Sequence, residues 1–203
     1  MNGTHATHET PMMNFSAVIL AGGKSSRMGR DKALLEIGGR TLLSRQIHLA
    51  RELGALEVFI SARQDADYHE PGCVLVHDEF ADAGPLAGIG RTLDASAWPL
   101  LLVLAVDLPA MNLELLRELA ARCTATAGVI PSIGGSIEPL AAFYPKSSAR
   151  IATAMLAEGR LAARDFATGC VQAGIATLVM LPPETAACFA NWNSPGDLPG
   201  SAF

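Results

Sequence analysis

Residues 20–32 read Leu-Ala-Gly-Gly-Lys-Ser-Ser-Arg-Met-Gly-Arg-Asp-Lys, a string that joins two adjacent glycines to several cations. Gly22 and Gly23 let the backbone approach an anion and turn its N–H groups toward it, while Arg27 and Lys32 supply full charges able to neutralise a polyphosphate. The string is not a Walker A loop, which would place a glycine at Val18, and it does not fit Gly-x-Gly-x-x-Gly. Taken alone, Gly-Gly-Lys-Ser reads more readily as a surface turn with solvated cations. Far along the chain, Asp107 follows the most apolar segment of the sequence, 99–106. A carboxylate there either opens the turn before Pro109 or is recruited to a cation, and Mg²⁺ favours few carboxylates completed by phosphate oxygens and water. Asp78 ends another apolar segment, beside Glu79 and Asp82, and reads equally as an acidic turn residue.

Other reactive types carry less. Ser25 and Ser26 have no traceable His and acid partners, so they serve as loop hydrogen-bonding groups and not as nucleophiles. His48, His69 and His77 lack partners at metal-ligand spacing. The cysteines, Cys73, Cys123, Cys170 and Cys188, lie far apart and form no Cys-x-x-Cys pair, which points away from zinc and from a disulfide framework and toward a reducing cytoplasm.

The elements that must position these groups follow an alternating rhythm. Apolar runs of strand length at 15–20, 57–62, 74–77, 99–106, 128–131, 139–144 and 176–181 are interleaved with helix-period segments. Helices are expected over 41–53, where Leu42, Leu43, Gln46, Ile47 and Ala50 share a face before Gly54; from Pro85 to about Leu93; from an Asn112 cap to about Arg122; and near 147–158. That rhythm predicts an α/β fold with a mainly parallel central sheet and helices on both faces. The stretch between the first strand and the first helix is expected to be one long loop without structure of its own, itself a pointer to function.

A net charge of −5 disfavours an extended nucleic-acid or anionic-membrane surface, so any phosphate site must be local. Half the residues are apolar, enough for a sizeable core in a single domain over 15–203, yet the longest apolar run is far shorter than the roughly 20 residues that cross a bilayer. Residues 1–14 are polar, lack the features of a secretory signal and are expected to form a disordered tail.

Leu-Ala-Gly-Gly-x-Ser-x-Arg-Met-Gly-x-Asp-Lys resembles the nucleotide-binding loop of the nucleotidyltransferases related to sugar-nucleotide pyrophosphorylases, and its ending is most similar to the MobA family of molybdenum cofactor guanylyltransferases. Asp78, Gly84-Pro85-Leu86-Ala87-Gly88, Asp107-Leu-Pro and Asn191-Trp-Asn193-Ser-Pro resemble the family's later segments in the same order. The resemblance implies a Rossmann-like domain that joins GTP to molybdopterin with Mg²⁺. It implies that Leu20, Ala21 and Gly22 lie against the nucleotide, Lys32 serves the phosphates, and Asp78 contacts the guanosine. It further implies that residues 84–88 lie against the base, Asp107 holds Mg²⁺, and Asn191 and Asn193 flank the pterin side. Glu138-Pro139-Leu140 stands where the family faces its second substrate, although a plain strand-edge acid fits equally. Two departures are visible: Ser61 occupies a nucleotide-contact position where the family often has Asn, and Pro199-Gly200 stands where a last helix would continue. Apo-molybdoenzymes, their chaperones and other cofactor-biosynthesis proteins are the implied partners. Rivals are a cytidylyltransferase for the same pterin, a nucleotide-sugar pyrophosphorylase, and, in another class, a non-catalytic module that binds and delivers nucleotide or cofactor.

Overall fold

Phe15, Ala17 and Ile19 of the first strand, β1 (Phe15–Leu20), pack into one apolar cluster and Val18 and Leu20 into another. A strand apolar on both faces must lie inside a sheet covered on both sides, and a continuous run without polar alternation signals such a place. The structure is a computed structural model that describes residues 13–22, 31–77 and 84–192.

After β1, Lys32–Leu34 forms a 3-10 turn, and β2 (Glu36–Ile37) and β3 (Arg40–Thr41) make a small antiparallel hairpin. The expected structureless loop is thereby corrected. Its ladders are two residues long, too short to show any period, but Gly38 and Gly39 join them with φ of 58° and 76°, the left-handed pair a two-residue hairpin turn requires. Helix α1 (Leu42–Leu53) follows, with the Thr41 hydroxyl accepting from the Ser44 N–H at 3.0 Å and Gly54 as its C-cap.

The chain continues through β4 (Glu57–Ala62), β5 (Cys73–His77), α2 (Gly84–Ala95), β6 (Leu100–Ala105) and α3 (Leu113–Ala120). The expected Asn112 cap is present, its Oδ1 accepting from Leu115 at 2.9 Å. Then come β7 (Gly128–Ile133), β8 (Ser136–Ile137), β9 (Ala141–Pro145), α4 (Ala149–Ala157), α5 (Ala163–Gln172) and β10 (Ala176–Leu181), with a last 3-10 segment, Pro183–Phe189.

The strand order is β10-β7-β9-β6-β1-β4-β5, with β8 paired to β7. Among the described strands of this sheet only β9 and β8 run antiparallel to their neighbours, so the expected mainly parallel α/β architecture is what forms. Helices α1 and α3 cover one face, where Leu42, Ile47, Leu116 and Leu119 meet Ile19 and Leu102. Helices α2, α4 and α5 cover the other, where Leu86, Ile89, Met155 and Phe166 meet Val18 and Val103. Met13 packs against the first cluster. Among the described residues no helix is long and apolar enough to cross a membrane.

Helix α5 is an addition to the elements expected from the sequence. Its start carries no side-chain cap and Gly169 interrupts it, so local signals are weak, yet Ala163, Phe166, Ala167 and Cys170 recur at helical spacing and are all buried. Phe166 is fully buried, with its ring centroid 4.9 Å from that of Tyr144. Replacing Phe166 with Ala should therefore cost about 3–5 kcal/mol of folding free energy. Urea denaturation measures this, and a loss below about 1 kcal/mol would show that α5 is not part of the cooperative core.

Candidate active site

The parallel strands β1 and β6 lie side by side in register, Leu20 opposite Ala105, so the segments that leave their carboxyl ends begin together. The Val106 N–H donates to the Leu20 carbonyl at 3.1 Å, and on the other side the Ala21 N–H donates to the Ser61 carbonyl of β4 at 2.8 Å. Leu20, Ala21, Gly22, Ser61 and Asp107 are thus brought to one sheet edge, the carboxyl edge at which open α/β sheets bind ligands. Ser61 is buried there, and Gly22 is half-buried.

Lys32 reaches the same edge from the 3-10 turn. Asp31 caps that turn, its Oδ1 accepting from the Ala33 N–H at 3.0 Å. The Lys32 Nζ stands 3.3 Å from Asp107 Oδ2, so a cation and a carboxylate 75 positions apart in the chain meet at the rim. Both side chains remain about one-fifth exposed (19% and 21%), accessible to a ligand. A group that binds anions and a group that binds cations, side by side, suit a metal-bound polyphosphate. Among the described residues no three His, Cys, Asp or Glu side chains gather as a metal cage. A single rim carboxylate such as Asp107 is a donor set compatible with Mg²⁺, which takes one or two carboxylates and fills its remaining positions with water and substrate phosphate oxygens.

Backbone contacts hold Asp107 in place. Gln46 of α1, 1% exposed, donates from Nε2 to the Leu108 carbonyl at 2.7 Å, and Arg45 donates to the Pro109 carbonyl at 3.2 Å. From the far end of the chain, the Trp192 N–H donates to the Asp107 carbonyl at 3.1 Å, which sets the exposed Asn191 close to this turn. Gln46 and Arg45 were not among the expected site residues. The available signal was Gln46 itself, a polar side chain within the apolar face of α1, because a buried amide needs a partner.

Residues 84–88 divide between surface and core. Gly84 is exposed at the start of α2 with φ of 64°, a left-handed conformation that L side chains rarely adopt, and a Cβ there would lie 3.5 Å from the Leu161 carbonyl oxygen. Pro85 is half-buried, whereas Leu86 and Gly88 are buried, and the Gly88 carbonyl accepts from the Thr92 hydroxyl at 2.7 Å. Gly84, Pro85 and the half-buried Ala87 are thus the more accessible members of this segment. Gly23, Arg27, Asp78 and Asn193 lie outside the described residues. The described histidines have local partners: His48 with Glu52, His69 with Asp67, and His77 Nδ1 with the Arg63 carbonyl.

The chain matches the MobA-like NTP transferase domain over residues 17–171. It is 38% identical over 187 residues to a protein of Opitutus terrae named "probable molybdenum cofactor guanylyltransferase", covering 90% of this chain and 92% of that one. It is likewise 38% identical over 136 residues to the molybdenum cofactor guanylyltransferase of Syntrophotalea carbinolica, covering 64% and 63% of the two chains. Among solved structures, a nucleotidyl transferase from Methanothermobacter has the same fold, with a TM-score of 0.72 at 21% identity over 91% of this chain and 94% of its own. Molybdopterin-guanine dinucleotide biosynthesis protein A from Archaeoglobus fulgidus superposes with a TM-score of 0.65 at 22% identity, covering 90% and 94%.

Farther along the rim, Glu138 follows β8 and precedes β9, its N–H donating to the Pro131 carbonyl at 2.9 Å. Burial raises its carboxyl pKa above the ordinary value, and the Arg164 guanidinium offsets this in part. Arg164 is itself held by a 3.0 Å bond to the Ser136 hydroxyl. A carboxyl whose pKa is raised by folding favours the native state while protonated, and that contribution is lost as pH rises through the folded-state pKa. Glu138→Gln should accordingly increase stability at pH 7, with the gain disappearing in acid below the ordinary Glu range. Urea denaturation at both pH values checks this, and equal increments at the two would rule out titration of Glu138 as the cause.

Proposed function

The chain belongs to the MobA-like NTP transferase family, and from that premise we propose that it transfers GMP from GTP to the terminal phosphate of molybdopterin, releasing pyrophosphate. The observation that carries this reading is the meeting of Lys32 with Asp107 at 3.3 Å, beside the carboxyl ends of β1 and β6. The relatives' names, molybdenum cofactor guanylyltransferase, support a guanylyl group as the one transferred and the molybdenum cofactor as its acceptor.

A phosphate oxygen of the acceptor attacks the α-phosphorus of GTP in line. A new P–O bond forms as the bond from that phosphorus to the bridging β-oxygen breaks, and the electron pair leaves with pyrophosphate. No protein nucleophile takes part. Both reactants are polyanions, so the task of the protein is to bring them together and to offset their repulsion. Lys32 faces the triphosphate and stabilises the charge that moves toward the leaving group, joined by Arg27 from the glycine-rich loop. Backbone N–H groups around Gly22 and Gly23 provide further donors, while Ser61, Gly84, Pro85 and Asp78 line the nucleoside side. Asn191 and Asn193 face the acceptor. Asp107 would hold Mg²⁺, which when bound supplies neutralisation of phosphate charge.

Asp107→Ala should abolish pyrophosphate release from GTP and molybdopterin while leaving the thermal unfolding midpoint close to wild type, because this side chain is partly exposed at the rim. Undiminished transfer by that variant would remove Asp107 from the reaction. Separate calorimetric titrations of GTP, CTP and ATP with Mg²⁺ should give tightest binding for GTP. A preference for CTP would move the assignment to cytidylyl transfer.

A further inference from the structure

Lys32 owes its place to a turn that is fastened from a distant part of the chain. Tyr68 lies in the connection between β4 and β5, its ring buried in the cluster beneath α1 and α3 and 8% exposed. Its hydroxyl donates to Asp31 Oδ2 at 2.5 Å, while Asp31 Oδ1 accepts from the Ala33 N–H. Both carboxylate oxygens are thereby engaged, one by the turn that begins at Lys32 and one by the core. The Asp31 carbonyl is also used, accepting from Leu34 at 3.1 Å, and the Lys32 carbonyl accepts from Leu35 at the same distance. We infer that Tyr68 and Asp31 form a positioning pair for Lys32, setting the backbone from which its ammonium reaches the substrate phosphates.

The physical reason is the length of the lysine side chain. Four methylenes give the ammonium a wide reach and a large rotamer entropy, so the direction in which it is presented depends on how firmly its Cα is held. The turn is one 3-10 cycle of three residues, which has little stability of its own. A capping carboxylate free to rotate would let the turn fray, whereas one anchored by a buried phenol cannot leave. Burial, and then the bond to Asp31, raise the Tyr68 pKa, so the hydroxyl stays protonated as a donor throughout the neutral range. Tyr68 acts through Lys32 and does not itself touch substrate.

This inference rests on the reading of Lys32 as a phosphate-binding residue, and a double-mutant cycle separates the two. Affinity for GTP in the presence of Mg²⁺ is measured by calorimetry for wild type, Tyr68→Phe, Lys32→Ala and the double variant. Tyr68→Phe retains the packed ring and removes only the hydroxyl; it should weaken binding about tenfold. In the Lys32→Ala background the same change should cause no further loss, a non-additivity that a purely structural tyrosine would not produce. Asp31→Ser, which keeps a capping oxygen but severs the bond to Tyr68, should behave as Tyr68→Phe does and serves in its place should the phenylalanine variant fail to fold. Unchanged affinity in a folded Tyr68→Phe or Asp31→Ser protein, or an equal loss in both backgrounds, would overturn the positioning role. Unchanged affinity in Lys32→Ala would instead overturn the phosphate role of Lys32, and this inference with it.

Discussion

The parallel pairing of β1 with β6 is the constraint from which the site follows. With Leu20 opposite Ala105, Leu20-Ala21-Gly22 and the Asp107 turn leave the sheet at one edge, where the Val106 N–H donates to the Leu20 carbonyl. Two strands distant in sequence can adopt this register because both are apolar on both faces and each needs helices above and below it.

Around this edge several polar groups hold backbone in place. Gln46 and Arg45 bind the carbonyls that follow Asp107 through their side chains, the Trp192 backbone N–H donates to the carbonyl of Asp107 itself, and the Asp31 carboxylate caps the turn of Lys32. The charged groups are consequently presented by rigid turns while their own tips stay accessible, which is the arrangement preorganised electrostatics requires. The Lys32–Asp107 contact is partly solvated and contributes little to stability on that account. Its meaning lies in the location of the two charges.

The proposed transfer between two phosphorylated substrates has no need of a nucleophilic side chain. Ser25 and Ser26 have no traceable catalytic partners in the sequence, and His48, His69 and His77 pair locally with carboxylates or backbone. The opposite face of the sheet, where α2, α4 and α5 pack around Tyr144 and Phe166, supplies the mass against which the rim is held. Gly84 stands at the point where that layer reaches the edge, with the α4–α5 connection against it.

Much of this was legible from the residues alone, because strands buried on both faces are continuous apolar runs and caps are short-range chemistry. Phe15–Leu20, Glu57–Ala62, Ala176–Leu181 and the Asn112 cap could be read without knowing what they pack against. The glycine-rich string, Lys32 and Asp107 were candidates by residue type, but alone each had an ordinary turn reading, and the family resemblance of the whole string is what singled them out. The β2–β3 hairpin and α5 were not legible, since the first is too short for periodicity and the second lacks a capping side chain. Tertiary structure alone decided which distant groups meet: that Lys32 faces Asp107, that Gln46 carries the turn after it, and that Tyr68 reaches Asp31. Local sequence encodes propensity over a few residues, whereas these pairings depend on strand order, and strand order is set by how all the apolar faces are buried at once.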